Sequence, residues 1–222
     1  MSSRPRGRGP WHREGVYIPA HFAADDAALV RLLAHPSAAD LVTATADGLL
    51  ATPLPLLFDP HTGSHGALLG HLARNNDQWR RPPIGEAMVI VRGPQAYVSP
   101  GFYPSKAEHG RVVPTWNYVT AHLYGQLVVH DDPTWLDGLV RRLTDRHEAA
   151  QARPWSVDDA PPRFTAGQLR AIVGVELVIS RIEAKVKMSQ NRPPADIDGV
   201  ITGLDARGDH AAAGAVRDAQ RR

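Results

Sequence analysis

TWNYVTAHLYGQLVV, residues 115–129, decides the fold. Its large and small side chains alternate, which is the period of a β-strand. Trp116, Tyr118, Thr120, His122 and Tyr124 share one face, and Asn117, Val119, Ala121 and Leu123 take the other. Most strands stop after about five or six residues. One this long belongs where strands curl round a barrel.

The neighbouring segments fit that reading. Leu41 to Thr45 reads as a strand, Asp47-Gly48 as a hairpin turn, and Leu49 to Phe58 as the returning strand. Pro53 and Pro55 mark that second strand as an edge, a bulge or a stretch facing a ligand. Ala67 to Ala73 is a third strand, and NNDQW opens a short helix ended by Pro82-Pro83. Ala87 to Ser99 is a fourth, interrupted by Gly93-Pro94, and Val173 to Ile182 is the last strong one.

Helices are expected at the connections. Asp25 or Asp26 caps the first, with Leu29, Leu32 and Leu33 on one face. Asp132-Pro133 opens an amphipathic helix bearing Leu136, Leu139, Val140 and Leu143. Thr165 and Gln168 read as a capping box, and Asp196 to Leu204 as a small helix. The expected class is α+β, mainly β: a barrel with peripheral helices. Residues 16–207 form that domain, between a disordered basic tail (1–15) and an Ala-rich tail (208–222) that is helical or frayed.

Composition narrows the function. The 222 residues are 43% hydrophobic and 22% charged, as in a globular protein. No run of about 18 apolar residues predicts a membrane span, no apolar segment follows the basic N-terminus as a secretory signal would, and a cytoplasmic location is expected. Without Cys there is no disulfide, thiolate ligand or thiol nucleophile. A net charge of +2 makes the body a poor match for DNA. Arg4, Arg6, Arg8 and Arg13, set among Gly and Pro, read as a solubilising tail rather than a phosphate-gripping arm, so nucleic acid is expected at most there.

The chain has no GxxxxGKS/T loop, HExxH or GxSxG, and no helix-turn-helix pair stands out. Polar residues at strand ends remain. In GHLARNNDQW, Asn75, Asn76 and Asp77 stand where a helix begins, and unpaired amides there bind anions. Arg74 adds charge for a phosphate or propionate. Three roles are open to His71: ligating iron, bonding a cofactor ring, or filling a core position. In YPSKAEHGRVVPTWNY, aromatic rings lie close to Lys106, Glu108, His109 and Asn117. That mixture suits a planar cofactor with a proton or metal-binding group beside it, or a polar loop over the barrel mouth. KVKMSQNRPP sets Lys185 and Lys187 on one face, followed by Gln190, Asn191 and Arg192 as directional donors. The other histidines lack metal-ligand spacing and read as structural or exposed.

Together YIPAHF, GHLARNNDQW, SPGFYPSKAEHGRVVPTWNY, LTDRHE, LRAIVGVEL and KMSQNRP closely resemble the PaiB-like family, from about Tyr17 to Gly203. The resemblance implies the FMN-binding split barrel, usually a homodimer with cofactor sites at the subunit interface. The family is commonly labelled a negative transcriptional regulator. It also resembles, and is taken to include, heme-dependent piperazate synthases, which close N5-hydroxy-L-ornithine through an N–N bond.

On the synthase reading the cofactor is heme b and the substrate a small amino acid. His71 is the axial ligand, with His109 as alternative, and Lys106, Glu108 and His109 are the catalytic candidates. The cofactor-binding set is Thr52, His71, Arg74, Asn76, Trp116, Asn117, Lys187, Gln190, Asn191 and Arg192. FMN is the alternative cofactor, with Arg74 and Asn76 at its phosphate and Trp116 and Asn117 near its ring; a flavin or heme oxidoreductase is a further alternative. The chain reads KVKMSQNR where the family more often has KWKLSQNR, and HLARNND where it has HVARANP. Val186 in place of Trp either opens room for a wider macrocycle or is drift of the core.

Overall fold

The computed structural model describes residues 17–34 and 38–221; the expected basic tail lies outside them. Seven strands follow in chain order: β1 (Ala39–Thr45), β2 (Gly48–Leu54), β3 (Leu57–Asp59), β4 (Ala67–Ala73), β5 (Ala87–Val98), β6 (Thr115–His130) and β7 (Ile172–Lys187). The α-helices are α1 (Asp26–Ala34), α2 (Ser105–His109), α3 (Pro133–Glu148), α4 (Pro162–Arg170), α5 (Pro194–Ala206) and α6 (His210–Ala219). All neighbouring strands pair antiparallel, in the order β2-β1-β5-β6-β7-β4-β3.

That order explains the barrel. β2 and β3 are the two sheet edges, yet only Pro55 and Leu56 separate them in the chain. The covalent link draws the edges together, and the prolines stand where no ladder donor is needed. The expected single strand from Leu49 to Phe58 is therefore two strands. Close approach at this seam requires Gly70, because a Cβ there would lie 2.7 Å from Leu56 Cδ2 and 2.8 Å from Leu54 Cδ1.

Alternation places the core. Ala121 and Leu123 of β6 are fully buried with Leu41, Val89, Val91, Leu177 and Ile179, while the Trp116–Tyr124 face looks outward. Each such Val, Leu or Ile contributes about 1.5–3 kcal/mol of burial before chain entropy is charged against it. Leu33 of α1 joins this interior. On the outside, Leu139 and Leu143 of α3 pack on Leu57 and Leu69. Val200 and Leu204 of α5 and Ala213 and Val216 of α6 pack with Val98 and Met188.

Local signals hold at several ends. Asp25 accepts from Ala28 N at 2.7 Å, and Asp132 caps α3 by accepting from Trp135 N at 2.9 Å. Gly93-Pro94 is the site of a register shift in the β5–β6 ladder. The expected Thr165–Gln168 capping box is corrected: Pro161-Pro162 starts α4 four residues earlier, with Pro162 at the first helical position. NNDQW forms only a 3-10 turn, Asp77–Arg80, capped by Asn76. The last strand reaches Lys187 rather than Ile182, because its ladder with β6 continues past a register shift opposite Gly125.

Candidate functional site

The candidate residues fall into two groups at opposite ends of β7. His71 pairs with Gly174, and Tyr118 pairs with Lys187. The 13 steps from Gly174 to Lys187, at about 3.3 Å each, place the groups roughly 40 Å apart along the strand.

At the first end, His71 leaves the outer face of β4 beneath α3 and α4. It lines a cavity of about 250 Å3 walled by Val140, Trp155, Phe164, Leu169 and Ile172. Its Nδ1 is buried and has no hydrogen-bond partner. Burial pushes its pKa below the ordinary 6.5, so the imidazole is held neutral. Among the described residues no three His, Asp or Glu side chains converge as metal ligands, so His71 would serve as a single protein ligand.

The donors beside it are occupied. Arg74 donates to both carboxylate oxygens of Asp131 at 2.5 and 2.9 Å, to Arg170 O at 2.7 Å and to Ile172 O at 3.0 Å. These bonds clamp the end of β4 to the start of β7. Asn76 donates to Thr52 Oγ1 at 2.9 Å and accepts from Gln78 N at 2.9 Å. Thr52 in turn donates to Gln78 Oε1 at 2.6 Å, and Gln78, 2% exposed, donates to Leu41 O and Thr43 Oγ1 at 3.1 Å. Gln78 is the hub that sequence reasoning missed. One amide among loop residues has no periodicity to mark it, and only the barrel shows it buried.

At the second end, Lys187, Asn191, Arg192, Asn117, Thr115 and Ser189 surround a small polar cavity of about 60 Å3. Lys187 Nζ donates to Thr115 Oγ1 and Trp116 O, both at 2.6 Å. Burial, then the charges of Lys185 and Arg192, hold its pKa below the usual lysine range. Asn117, 1% exposed, donates to Ser189 Oγ at 2.9 Å, while its Oδ1 is buried without a partner. Ser189 takes a left-handed backbone, φ +64°, uncommon outside glycine. Gln190 holds this turn, accepting from Met188 N and donating to Val186 O at 2.6 Å. Arg192 lies 4.7 Å over the Tyr103 ring.

Lys106, Glu108 and His109 stand exposed on α2 at this same end. α2 is tied down by Ser105, whose N and Oγ donate to Asp196 at 3.1 and 2.7 Å. His109 Nδ1 accepts from Arg111 N at 3.0 Å, so it is neither buried nor close to His71. Val186 lies at this end too and faces α6, so space opened there is not space beside His71.

Between the two groups runs the outer face of β5 to β7. Trp116, 49% exposed, donates to Gln95 Oε1 at 3.1 Å, and with Tyr118, Thr120 and His122 it lines an open hollow of about 310 Å3. Lys185, 9% exposed, donates to Tyr17 O at 3.1 Å. Burial lowers the His122 pKa; Arg92 adds to this and Glu183 opposes it. The folded value lies below the unfolded 6.5, so the unfolded chain takes up the proton first as pH falls. Stability from His122 is complete above about 6.5 and is lost as pH drops from there toward the folded value. Urea denaturation at pH 7.5 and 5.5 is expected to show a larger fall for this protein than for His122→Gln. Equal falls would refute the assignment.

The chain superposes on the FAD and heme binding protein of Mycobacterium smegmatis with TM-score 0.51 and 17% identity, covering 78% of this chain and 77% of that one. It superposes on the flavocytochrome Anf3 of Azotobacter vinelandii with TM-score 0.52 and 12% identity, covering 78% and 73%. The protein thus has the split-barrel fold of these neighbours. Residues 16–181 match the family described as "Putative FMN-binding domain". The protease synthase and sporulation protein PAI 2 of Bacillus subtilis is 31% identical over 85% of this chain and 89% of its own. An uncharacterized Emericella nidulans protein is 33% identical over 71% and 76%. The chain belongs to the PaiB-like family. Among the described residues no helix is long and apolar enough to cross a membrane.

Proposed function

We propose that this chain is a heme-binding enzyme that cyclises N5-hydroxy-L-ornithine to L-piperazate, with His71 as the residue that would hold the iron. The observation that supports it is His71 itself: a neutral imidazole with a buried, unpartnered nitrogen, set against an apolar and aromatic cavity. Iron takes the neutral form of histidine, and a macrocycle edge prefers such a wall. The alternative, a flavin phosphate held by Arg74 and Asn76, meets donors already spent on Asp131, Thr52 and backbone. The M. smegmatis neighbour binds FAD and heme, so this type of barrel takes either group.

At about 250 Å3 the cavity lies below the ~300–1,000 Å3 of most cofactor sites, and the cationic group lies at the far end of the strand. A second copy of the chain would complete the site, bringing its Lys187 and Arg192 to the carboxylates of substrate or propionate. Heme, when bound, supplies a Lewis-acidic iron for the hydroxylamine. The chain's part is to hold the amino acid by its carboxylate and to exclude water with Trp155 and Phe164. Glu108 or His109 would accept the α-ammonium proton, and Lys106 would donate the proton with which the hydroxyl leaves as water. The α-nitrogen then bonds to N5, the N–O bond breaks and water leaves, with no net oxidation or reduction.

The absorption spectrum of the purified protein is the test. A Soret band near roughly 400 nm is expected. Flavin bands without iron would overturn the heme reading. Heme without L-piperazate from N5-hydroxy-L-ornithine would overturn the synthase alone, and a monomer by light scattering would overturn the shared site. The second reading, an FMN-binding negative transcriptional regulator of PaiB type, is favoured by the Lys187–Arg192 cluster, whose charge suits a phosphate.

A further inference from the structure

A sizeable cavity lies outside both groups. It is a half-open groove of about 560 Å3 between α1, α6 and the β5 bulge. It shares no lining residue with the His71 cavity.

Three features of sequence shape it. The register shift at Gly93-Pro94 parts β5 from β6 and exposes Val119 to the groove. α6 turns Ala211, Gly214, Ala215 and Ala219 toward it, residues too small to fill the space. Ala28 and Leu32 of α1, with Val186 of β7, close the apolar wall. The volume is within the usual range for small-molecule sites, about 300–1,000 Å3.

The charges at the rim define the ligand. Arg31 is exposed and has no ion-pair partner among the described residues, while Arg92 pairs with Asp40 at 2.5 Å. Asp218 stands at the opposite rim and is paired with Arg221 at 3.6 Å. The groove therefore offers a carbon-lined slot with an available guanidinium at its mouth. Such a slot excludes a strongly polar molecule, which would lose hydration without replacement bonds. It accepts a hydrocarbon tail, and the guanidinium matches a carboxylate.

We propose that this groove binds a medium-chain aliphatic carboxylate, its tail along α6 and its head on Arg31. The assignment is independent of heme and of the amino-acid reaction.

Gly214 provides a clean probe. A Cβ there meets nothing within 4 Å, so a larger side chain starts into open space at the groove. Glycine is also a poor helix former, so Gly214→Leu is expected to fold at least as well. Calorimetric titration of the full-length protein, as purified, with decanoate should give a Kd of about 100 µM, in keeping with a ligand of this size. Decan-1-ol and decylamine should bind at least about tenfold more weakly, and Arg31→Gln should weaken decanoate about tenfold while leaving decan-1-ol unchanged. Gly214→Leu should abolish decanoate binding, with Ala215→Leu as the replacement if that chain fails to fold. No decanoate binding at about 1 mM, equal binding of decan-1-ol, or full binding by the filled variant would each overturn the proposal.

Discussion

His71→Ala is expected to purify without most of its Soret band while melting close to the parent. On the heme reading, the substitution removes the one protein ligand and leaves the apolar cavity in place, so at least about tenfold of heme affinity should go with it. Stability should change little, within about 1 kcal/mol. Nδ1 of the lost imidazole has no hydrogen-bond partner, so that buried polar atom is removed without breaking a bond. Free imidazole should enter the vacated space and restore the band. A residue that merely supported the core would behave oppositely, with a lowered melting point and an unchanged spectrum. An unaltered Soret band in His71→Ala would dismiss His71 as ligand.

Gly125→Ala is expected to cost about 3 kcal/mol, a midpoint shift of roughly 1–2 M urea. Gly125 lies at the register shift in the β6–β7 ladder, where Tyr124 pairs with Arg181 and Gly125 with Ile179. A Cβ there would be 2.0 Å from Val178 O, 2.8 Å from Val178 C and 3.1 Å from Ile179 Cα. All three are backbone atoms, so no side chain can rotate away. The strands must part, and this is the ladder that joins the two ends of the candidate site. A midpoint within about 0.3 M of the parent would show that the ladder yields more easily than its geometry implies.

Much of this protein was legible in its residues because the signals were local. Alternation in TWNYVTAHLYGQLVV gave a two-faced strand, and the structure buries Ala121 and Leu123 of one face. Asp132-Pro133 marked a helix start through capping chemistry that needs only neighbours. The capping-box reading at Thr165 failed for a local reason too, since Pro161-Pro162 supplied a stronger start. Leu49 to Phe58 looked like one strand because nothing within ten residues tells that Pro55 and Leu56 turn a corner between opposite sheet edges.

The candidate site divides the same way. Its residue types were readable from sequence: an imidazole, cations and amides at strand ends, in a chain that belongs to the PaiB-like family. Their states were not. Arg74 looks like an anion receptor until Asp131, 57 residues away, takes its guanidinium. His71 looks like one histidine of eleven until α4 covers it and leaves a nitrogen buried without a bond. By itself the sequence determined the strands, most helix ends and the family, because backbone preference and side-chain period act over a few residues. Only the tertiary structure decided which polar groups are spent and which are available. Hydrogen bonding and desolvation depend on partners that the chain brings together from far apart.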